Sequence, residues 1–208
     1  MNLLLLSLGA SAVPEFLNRC LPDAAAPLRV GYLDDAAAIY TGAPFVAAER
    51  AQLAAFGYEV RDISARSLST AAFEDALAEV DAIYVAGGNT FALLAALRAG
   101  GGADLLANYV RGGLPYIGLS AGSILVGPSI TPASLMDDPA DAPELSDHTG
   151  LGLLTRVIIP HADGQLPPYP TELIAQTVAR YGADYPLLLL HDDQALLVTA
   201  DGESVIAS

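Results

Sequence analysis

The sequence predicts an α/β fold built on a mainly parallel sheet covered on both faces, and three observations carry that expectation. Short apolar runs alternate with Ala-rich helical stretches. The runs are almost continuously hydrophobic, as strands buried on both faces are. The helical stretches between them are long enough to serve as crossovers between parallel strands.

Taken in order, the first run, "LLLLSL" (3–8), ends at a Gly9 turn. An Ala10-Ser11-Ala12 follows that mimics a signal cleavage site. With no Lys or Arg ahead of it and a short apolar core, the run is nevertheless read as a buried strand. Further strand candidates are 28–33, 58–63, 82–88, 114–120, 156–160, 185–190 and 195–200. Helices are expected at 44–57, closed by Gly57; 69–80, opened by a Ser/Thr cap; 89–101, ending in glycines; and 171–182, ending at Gly182. The last two strand candidates are separated only by "HDDQ" (191–194), too short for a helical crossover, so an antiparallel hairpin is expected at the sheet edge. No repeat or linker interrupts residues 1–208, which are read as a single domain. The irregular segments are 127–150 and 161–170, and long loops of this kind tend to carry function.

The bulk numbers narrow the function classes. In 208 residues, 53% are hydrophobic and 16% charged, a globular composition. Nine Lys+Arg against 24 Asp+Glu give a net charge of −15, which repels phosphate backbones and anionic lipid surfaces. No nucleic-acid or membrane partner is therefore expected. Cys20 is the single cysteine, so an internal disulfide is excluded and a reducing, cytoplasmic setting fits. No ligand cluster for a metal and no organic cofactor motif is found. Residues 84–94 lack the G-x-G-x-x-G spacing, and Gly-Lys-Ser/Thr is absent.

Chemistry concentrates at "PYIGLSAGSILVG" (115–127). Gly-x-Ser-x-Gly between an apolar strand and a helix is the nucleophile-elbow pattern, in which a strained turn lifts the Ser120 hydroxyl into a cleft. The following helix offers the Ala121 N–H to a developing oxyanion. The bland alternative is a small-residue turn with Ser120 as helix cap. A serine needs a base, and only His148, His161 and His191 are available. His148 sits in a polar loop and is read as solvated. His161 and His191 both follow apolar runs at strand ends. With His161, Asp192 is a natural orienting carboxylate; with His191, the acid would come from Asp163 or Asp137. A second anchor, "YVAGGNTFALL" (84–94), makes a glycine turn entering a helix, where Gly88 N–H would be the second oxyanion donor and Asn89 the cap.

Together "AGGNTFALL", "GLSAGSILVGPSI", "IIPHAD" and "HDDQALLV" resemble, in order and over most of the chain, the peptidase E (α-aspartyl dipeptidase) and cyanophycinase family of serine peptidases. The resemblance implies a three-layer fold of class I glutamine-amidotransferase-like, flavodoxin-type topology and hydrolysis through an acyl-enzyme. It implies Ser120 as nucleophile, His161 as base, Gly88 and Ala121 as oxyanion hole, and Asp192 as the third member, with Asp193 an unresolved neighbour. The family's aspartyl dipeptidases carry an arginine soon after the catalytic histidine to pair with the substrate aspartate. Here residues 161–176 contain no Arg or Lys, and Glu172 occupies the position aligned with it. Small peptides with neutral or basic first residues are thus the expected substrates. Asn89, Asp137 and Glu172 are the expected substrate-contacting residues, an acidic side chain of the 127–150 loop reading the α-amino group. A catalytically silent binding or regulatory relative, and a serine esterase using His191, are the competing expectations. The "ALLVTA" hairpin is where two copies would pair as a homodimer.

Overall fold

A computed structural model describes residues 1–40 and 42–208. Along the chain the elements are β1 (Leu3–Leu6), α1 (Val13–Cys20), β2 (Arg29–Leu33), α2 (Pro44–Ala55), β3 (Glu59–Ile63), α3 (Thr70–Ala78), β4 (Ala82–Val85), α4 (Thr90–Ala99), α5 (Gly102–Arg111), β5 (Tyr116–Leu119), α6 (Ala121–Leu125), β6 (Val157–Ile159), α7 (Thr171–Tyr181), β7 (Leu187–Leu189), β8 (Gln194–Thr199) and β9 (Gly202–Ala207). Seven strands form one sheet in the order β3-β2-β4-β5-β1-β8-β9. The first five of that order are parallel. β8 runs antiparallel to β1, and β9 antiparallel to β8. This is the expected α/β class with an antiparallel C-terminal edge.

The run Leu3–Leu6 shows why such strands read as continuously apolar. Leu3 and Leu5 join one core cluster, with residues of α3, α4, α5, α6 and α7. Leu4 and Leu6 join the other, with Phe16 and Leu17 of α1 and Leu53 of α2. All four are fully buried, and each buried leucine contributes about 1.5–3 kcal/mol. Helices thus cover both faces of the sheet, giving three layers.

The hairpin lies one element later than the sequence suggested. β7 does not fold back on β8; it pairs in parallel with β6 as a separate two-stranded sheet. At 191–194 the chain instead turns from that small sheet onto the edge of the main one, closed by Gln194 N–H to the His191 carbonyl (3.0 Å). The hairpin is β8–β9, joined by two residues ahead of Gly202. Its Asp201-Gly202 is a strong hairpin signal. Two helices, α1 and α5, were also not anticipated. Proline near the start of α1 and the glycine pair before α5 mark their openings. Among the described residues, no single helix is long and apolar enough to cross a membrane.

The topology fixes where a site can form. β4 and β5 are neighbours, with Val85 opposite Gly118, so their C-terminal turns abut. β1 lies on the other side of β5, with Leu6 opposite Leu119. The turns after β1, β4 and β5 therefore meet at one sheet edge, where open parallel sheets place their sites.

Candidate active site

Ser120 occupies the turn from β5 into α6 with φ 48° and ψ −104°. A non-glycine residue at positive φ is strained and held there by its surroundings. Those surroundings are visible: Ser120 N–H donates to the Leu6 carbonyl (3.1 Å), and the buried Ser123 hydroxyl reaches the carbonyls of Leu6 and Gly118 (2.8 Å each). Glycine is required on both flanks. A Cβ on Gly118 would run into the Gly122 backbone, and one on Gly122 into the Val85 carbonyl. The Gly-x-Ser-x-Gly spacing is the steric condition for laying α6 across the end of β4 and β5.

Ser120 Oγ lies 3.0 Å from His161 Nε2. His161 Nδ1 lies 2.6 Å from Asp192 Oδ1. His161 follows β6, is 2% exposed, and has φ 58°, the other non-glycine residue at positive φ among those described. Its ring stacks on Tyr169, with centroids 4.8 Å apart and planes 7° from parallel. Asp192 stands in the turn before β8, its own N–H donating to Asp163 Oδ2 (3.3 Å). Of the two candidate histidines it is His161 that lies against Ser120, while His191 is exposed; of the two candidate carboxylates Asp192 reaches the His161 ring, while Asp193 is exposed. Asp163 serves the Asp192 backbone and does not orient a histidine ring.

Sequence reasoning missed Ser7, one residue beyond β1. Its fully buried hydroxyl accepts the His161 backbone N–H (2.8 Å) and lies 3.4 Å from both Asp192 Oδ1 and the Leu190 carbonyl. One hydroxyl so ties together His161, Asp192 and the end of β1. No local pattern marks it, since its partners lie more than 150 residues away.

The two expected oxyanion donors stand on adjacent turns. Gly88 has φ 138°, and a Cβ there would collide with the Ala36 backbone, so only glycine fits. Among the described residues its N–H has no acceptor. Ala121 opens α6, where helix geometry leaves N–H groups unpaired. The position a Gly87 Cβ would occupy is 3.6 Å from Ser120 Cβ, which places the two turns side by side.

Two of the expected substrate-contacting residues, Asn89 and Asp137, make intramolecular hydrogen bonds at the start of α4. Asn89 is fully buried, and its side chain is saturated. Its Oδ1 accepts from Phe91 and Ala92 N–H (2.9 Å each), and Nδ2 donates to the Asp138 carbonyl (3.1 Å) and Asp141 Oδ2 (2.9 Å). Asp137 is 7% exposed and accepts from Thr90 N–H (2.9 Å) and Thr90 Oγ1 (2.5 Å) at the start of α4. Burial pushes its carboxyl up to about 6 despite those two donors. Asp138 accepts from Ala140 N–H. Asp137 and Asp141 thus fasten this loop to the start of α4, as buried polar groups demand. His148 in the same loop packs edge-on to Phe91 (5.0 Å) instead of standing free in solvent. Glu172 is exposed in the first turn of α7, and among the described residues its hydrogen-bond partner is the adjacent Thr171 hydroxyl (3.4 Å).

One carboxyl near the serine was not anticipated. Glu49 of α2 is partly buried, with Oε2 accepting from Gly87 N–H (3.4 Å). Burial pushes it up to about 7, the Gly87 N–H and the neighbouring Tyr32 hydroxyl offsetting this only in part.

Among the described residues there is no group of three or more His, Cys, Asp or Glu placed to hold a metal ion. The nine cationic side chains are all arginine. Arg19, Arg29, Arg50, Arg61, Arg98 and Arg156 pair with carboxylates outside the site. Among the described residues none forms a hydrogen bond or ion pair with Ser120, His161 or Asp192.

Known proteins share this arrangement of chain. An uncharacterized peptidase of Pasteurella multocida, PM1590, is 35% identical over 143 residues, covering 68% of this chain and 67% of its own. Peptidase E of Citrobacter koseri is 34% identical over 171 residues, covering 80% and 71%. A crystal structure of a Listeria monocytogenes EGD-e protein assigned to peptidase E superposes with a TM-score of 0.87 at 25% identity, covering 100% of this chain and 98% of its own. The sequence profile of peptidase family S51 matches residues 3–206, nearly end to end, and the chain belongs to that family.

Proposed function

We propose that the protein is a serine peptidase that hydrolyses small peptides through an acyl-enzyme on Ser120. The observation that carries this reading is the unbroken relay from Ser120 Oγ through His161 to Asp192, at 3.0 Å and 2.6 Å. Asp192 holds the imidazole with its proton on Nδ1, leaving Nε2 free to accept the serine proton as Oγ attacks the scissile carbonyl. The carbonyl oxygen takes up negative charge opposite the N–H groups of Gly88 and Ala121, where each donor in comparable sites is worth about 3–4 kcal/mol. His161 passes the proton to the leaving amine as the C–N bond breaks. Water, deprotonated by the same nitrogen, then releases the acid from Ser120.

The substrate reading follows from charge. With no arginine or lysine in 161–176 and six of the nine arginines paired with carboxylates outside the site, the segment after His161 offers an N-terminal aspartate no cationic partner. We infer a preference for neutral or basic first residues, the exposed carboxylate of Glu172 in the first turn of α7 opposing acidic ones. The short Ser120–His161 bond counts against a catalytically silent relative, and the exposure of His191 counts against the esterase alternative that would use it.

The test is incubation with a mixed pool of di- and tripeptides, followed by mass spectrometry beside Ser120→Ala. Selective loss of neutral-first or basic-first peptides with wild type alone is expected. Cleavage led by Asp-X dipeptides would overturn the specificity, and an untouched pool would overturn the peptidase reading.

A further inference from the structure

A peptidase acting on short peptides must find their ends, and the structure leaves one carboxyl unspent beside the nucleophile. Asp137, Asp138 and Asp141 are consumed in fixing α4 and its loop. Glu49 is different. Its Oε2 holds the Gly87 N–H, while Oε1 lies 3.5 Å from the point a Gly87 Cβ would occupy. That same point is 3.6 Å from Ser120 Cβ. The missing side chain of Gly87 therefore leaves a methyl-sized space with the nucleophile on one side and the carboxyl on the other. The neighbouring cation, Arg50, is committed to Asp62 (2.7 Å), so the charge of Glu49 is not already neutralised by it.

The sides of the cleft match the two halves of a peptide. His161 arrives from β6, on the α6 face of the main sheet. It must protonate the leaving amine, so the leaving group lies on that side. The acyl half then lies away from His161. Glu49 arrives from α2 on the opposite face. The α-amino nitrogen sits on the carbon next to the scissile carbonyl, within a side chain's reach of Ser120 Oγ.

We propose that Glu49 binds the protonated α-amino group of the substrate, so that the enzyme takes peptides by their free N-terminus. This rests on the serine-peptidase reading of Ser120. The surroundings suit a cation. Besides Arg50, the titratable groups facing Glu49 are Tyr32 and Asp34 of β2 and its end, and Tyr84 of β4, none of them positive. A carboxyl pushed up to about 7 by burial gains an ionised state when an ammonium group arrives to pair with it.

The experiment follows the labelling of Ser120 by a fluorophosphonate probe and its protection by leucinamide or N-acetyl-leucinamide. These ligands differ at the amino group. Wild type should be protected by leucinamide about ten-fold more tightly than by its acetylated form, as expected for a charge-assisted hydrogen bond. Glu49→Gln should erase that difference, each protection being referred to the variant's own unprotected rate. Gly87→Ala adds only ordinary van der Waals contacts, the nearest at 3.5 Å, yet fills the gap, and should weaken leucinamide in the same way. Equal protection by both ligands, or discrimination that survives Glu49→Gln, overturns the inference while leaving the serine reading intact. Absence of labelling in wild type, as in Ser120→Ala, overturns both.

Discussion

The chemistry of the site is set by groups that either touch Ser120 or hold what touches it, and substitution separates the two kinds. Asp192→Asn should lower kcat by about 10³–10⁴-fold, because the amide disfavours the tautomer in which Nε2 accepts the serine proton. Asp193→Asn, at an exposed position whose carbonyl takes the Ser208 N–H, should remain near wild type on any peptide the pool assay identifies. Ser7 is a positioning residue. Ser7→Ala strips the His161 N–H of its acceptor and should cost about 1–3 kcal/mol in stability. Its functional signature is a fall in kcat with little change in KM, since the ring is displaced and the binding surface is not. A rise in KM at constant kcat would reject that role. The difference between these residues is also the difference in what the sequence could show. Ser120 and Ala121 lie in one contiguous motif whose glycines are sterically required, and His161 and Asp192 each follow closely on a recognisable apolar run. Ser7 and Glu49 join the site only because β1 lies beside β5 and the middle of α2 lies against the turn after β4. No spacing along the chain reports either adjacency.

At the level of elements, the turn proposed to hold the oxyanion depends on how α4 begins. Asn89 caps α4 through Oδ1, fastens the 138–141 segment through Nδ2, and is itself held by its N–H on the Ala36 carbonyl (2.9 Å). That carbonyl is also what a Cβ on Gly88 would strike. Beneath it, Asp35 accepts from Ser64 Oγ (2.9 Å) and Ala65 N–H (2.7 Å), anchoring the turn after β2. Asn89→Ala should therefore destabilise by about 1–3 kcal/mol, from a lost cap and two orphaned partners. Urea unfolding should show a lower midpoint with an unchanged m-value. Activity should fall more than stability alone dictates, because the donor preceding the helix loses its register. The elements easiest to read were those carrying their own boundaries: β4 and β5 with glycines behind them, α3 with the Ser69 cap. The misplaced hairpin shows the converse. A short apolar run such as 185–190 does not state its partner, and pairing with β6 was invisible because it depends on the turn at 191–193 being pulled toward His161 and Asp163. The Asp201-Gly202 signal at the true hairpin lay beside a polar strand, β9, whose exposed face gave it no apolar run to recognise.

For the whole molecule, the decisive quantity is the excess of 24 acidic over nine basic side chains, concentrated by a fold that buries some of the acids. Glu49 and Asp137 are pushed up to about 7 and about 6, and Asp34 is raised as well, in each case first by burial. In the unfolded chain the same carboxyls titrate near 4. Between about pH 7 and pH 4 the folded state therefore holds more protons than the unfolded one, and stability rises as pH falls through that window. The opposing groups act lower. Asp81 beside Arg29, and Asp147 beside Arg98, are held below the usual carboxylate range. Their contribution is present above the unfolded value near 4 and is lost only as the pH drops beneath it. Relief of the net repulsion among acids works in the same direction as the raised groups. Thermal unfolding should thus show Tm climbing from pH 8 to about pH 5 and falling again below pH 4. Glu49→Gln and Asp137→Asn should each flatten the climb, the first mainly around pH 7 and the second around pH 6. The differences from wild type isolate these two carboxyls from every other titrating group. A wild-type Tm that is flat or falls between pH 8 and pH 5, with parallel curves for both variants, would show that neither carboxyl carries the burial penalty assigned to it.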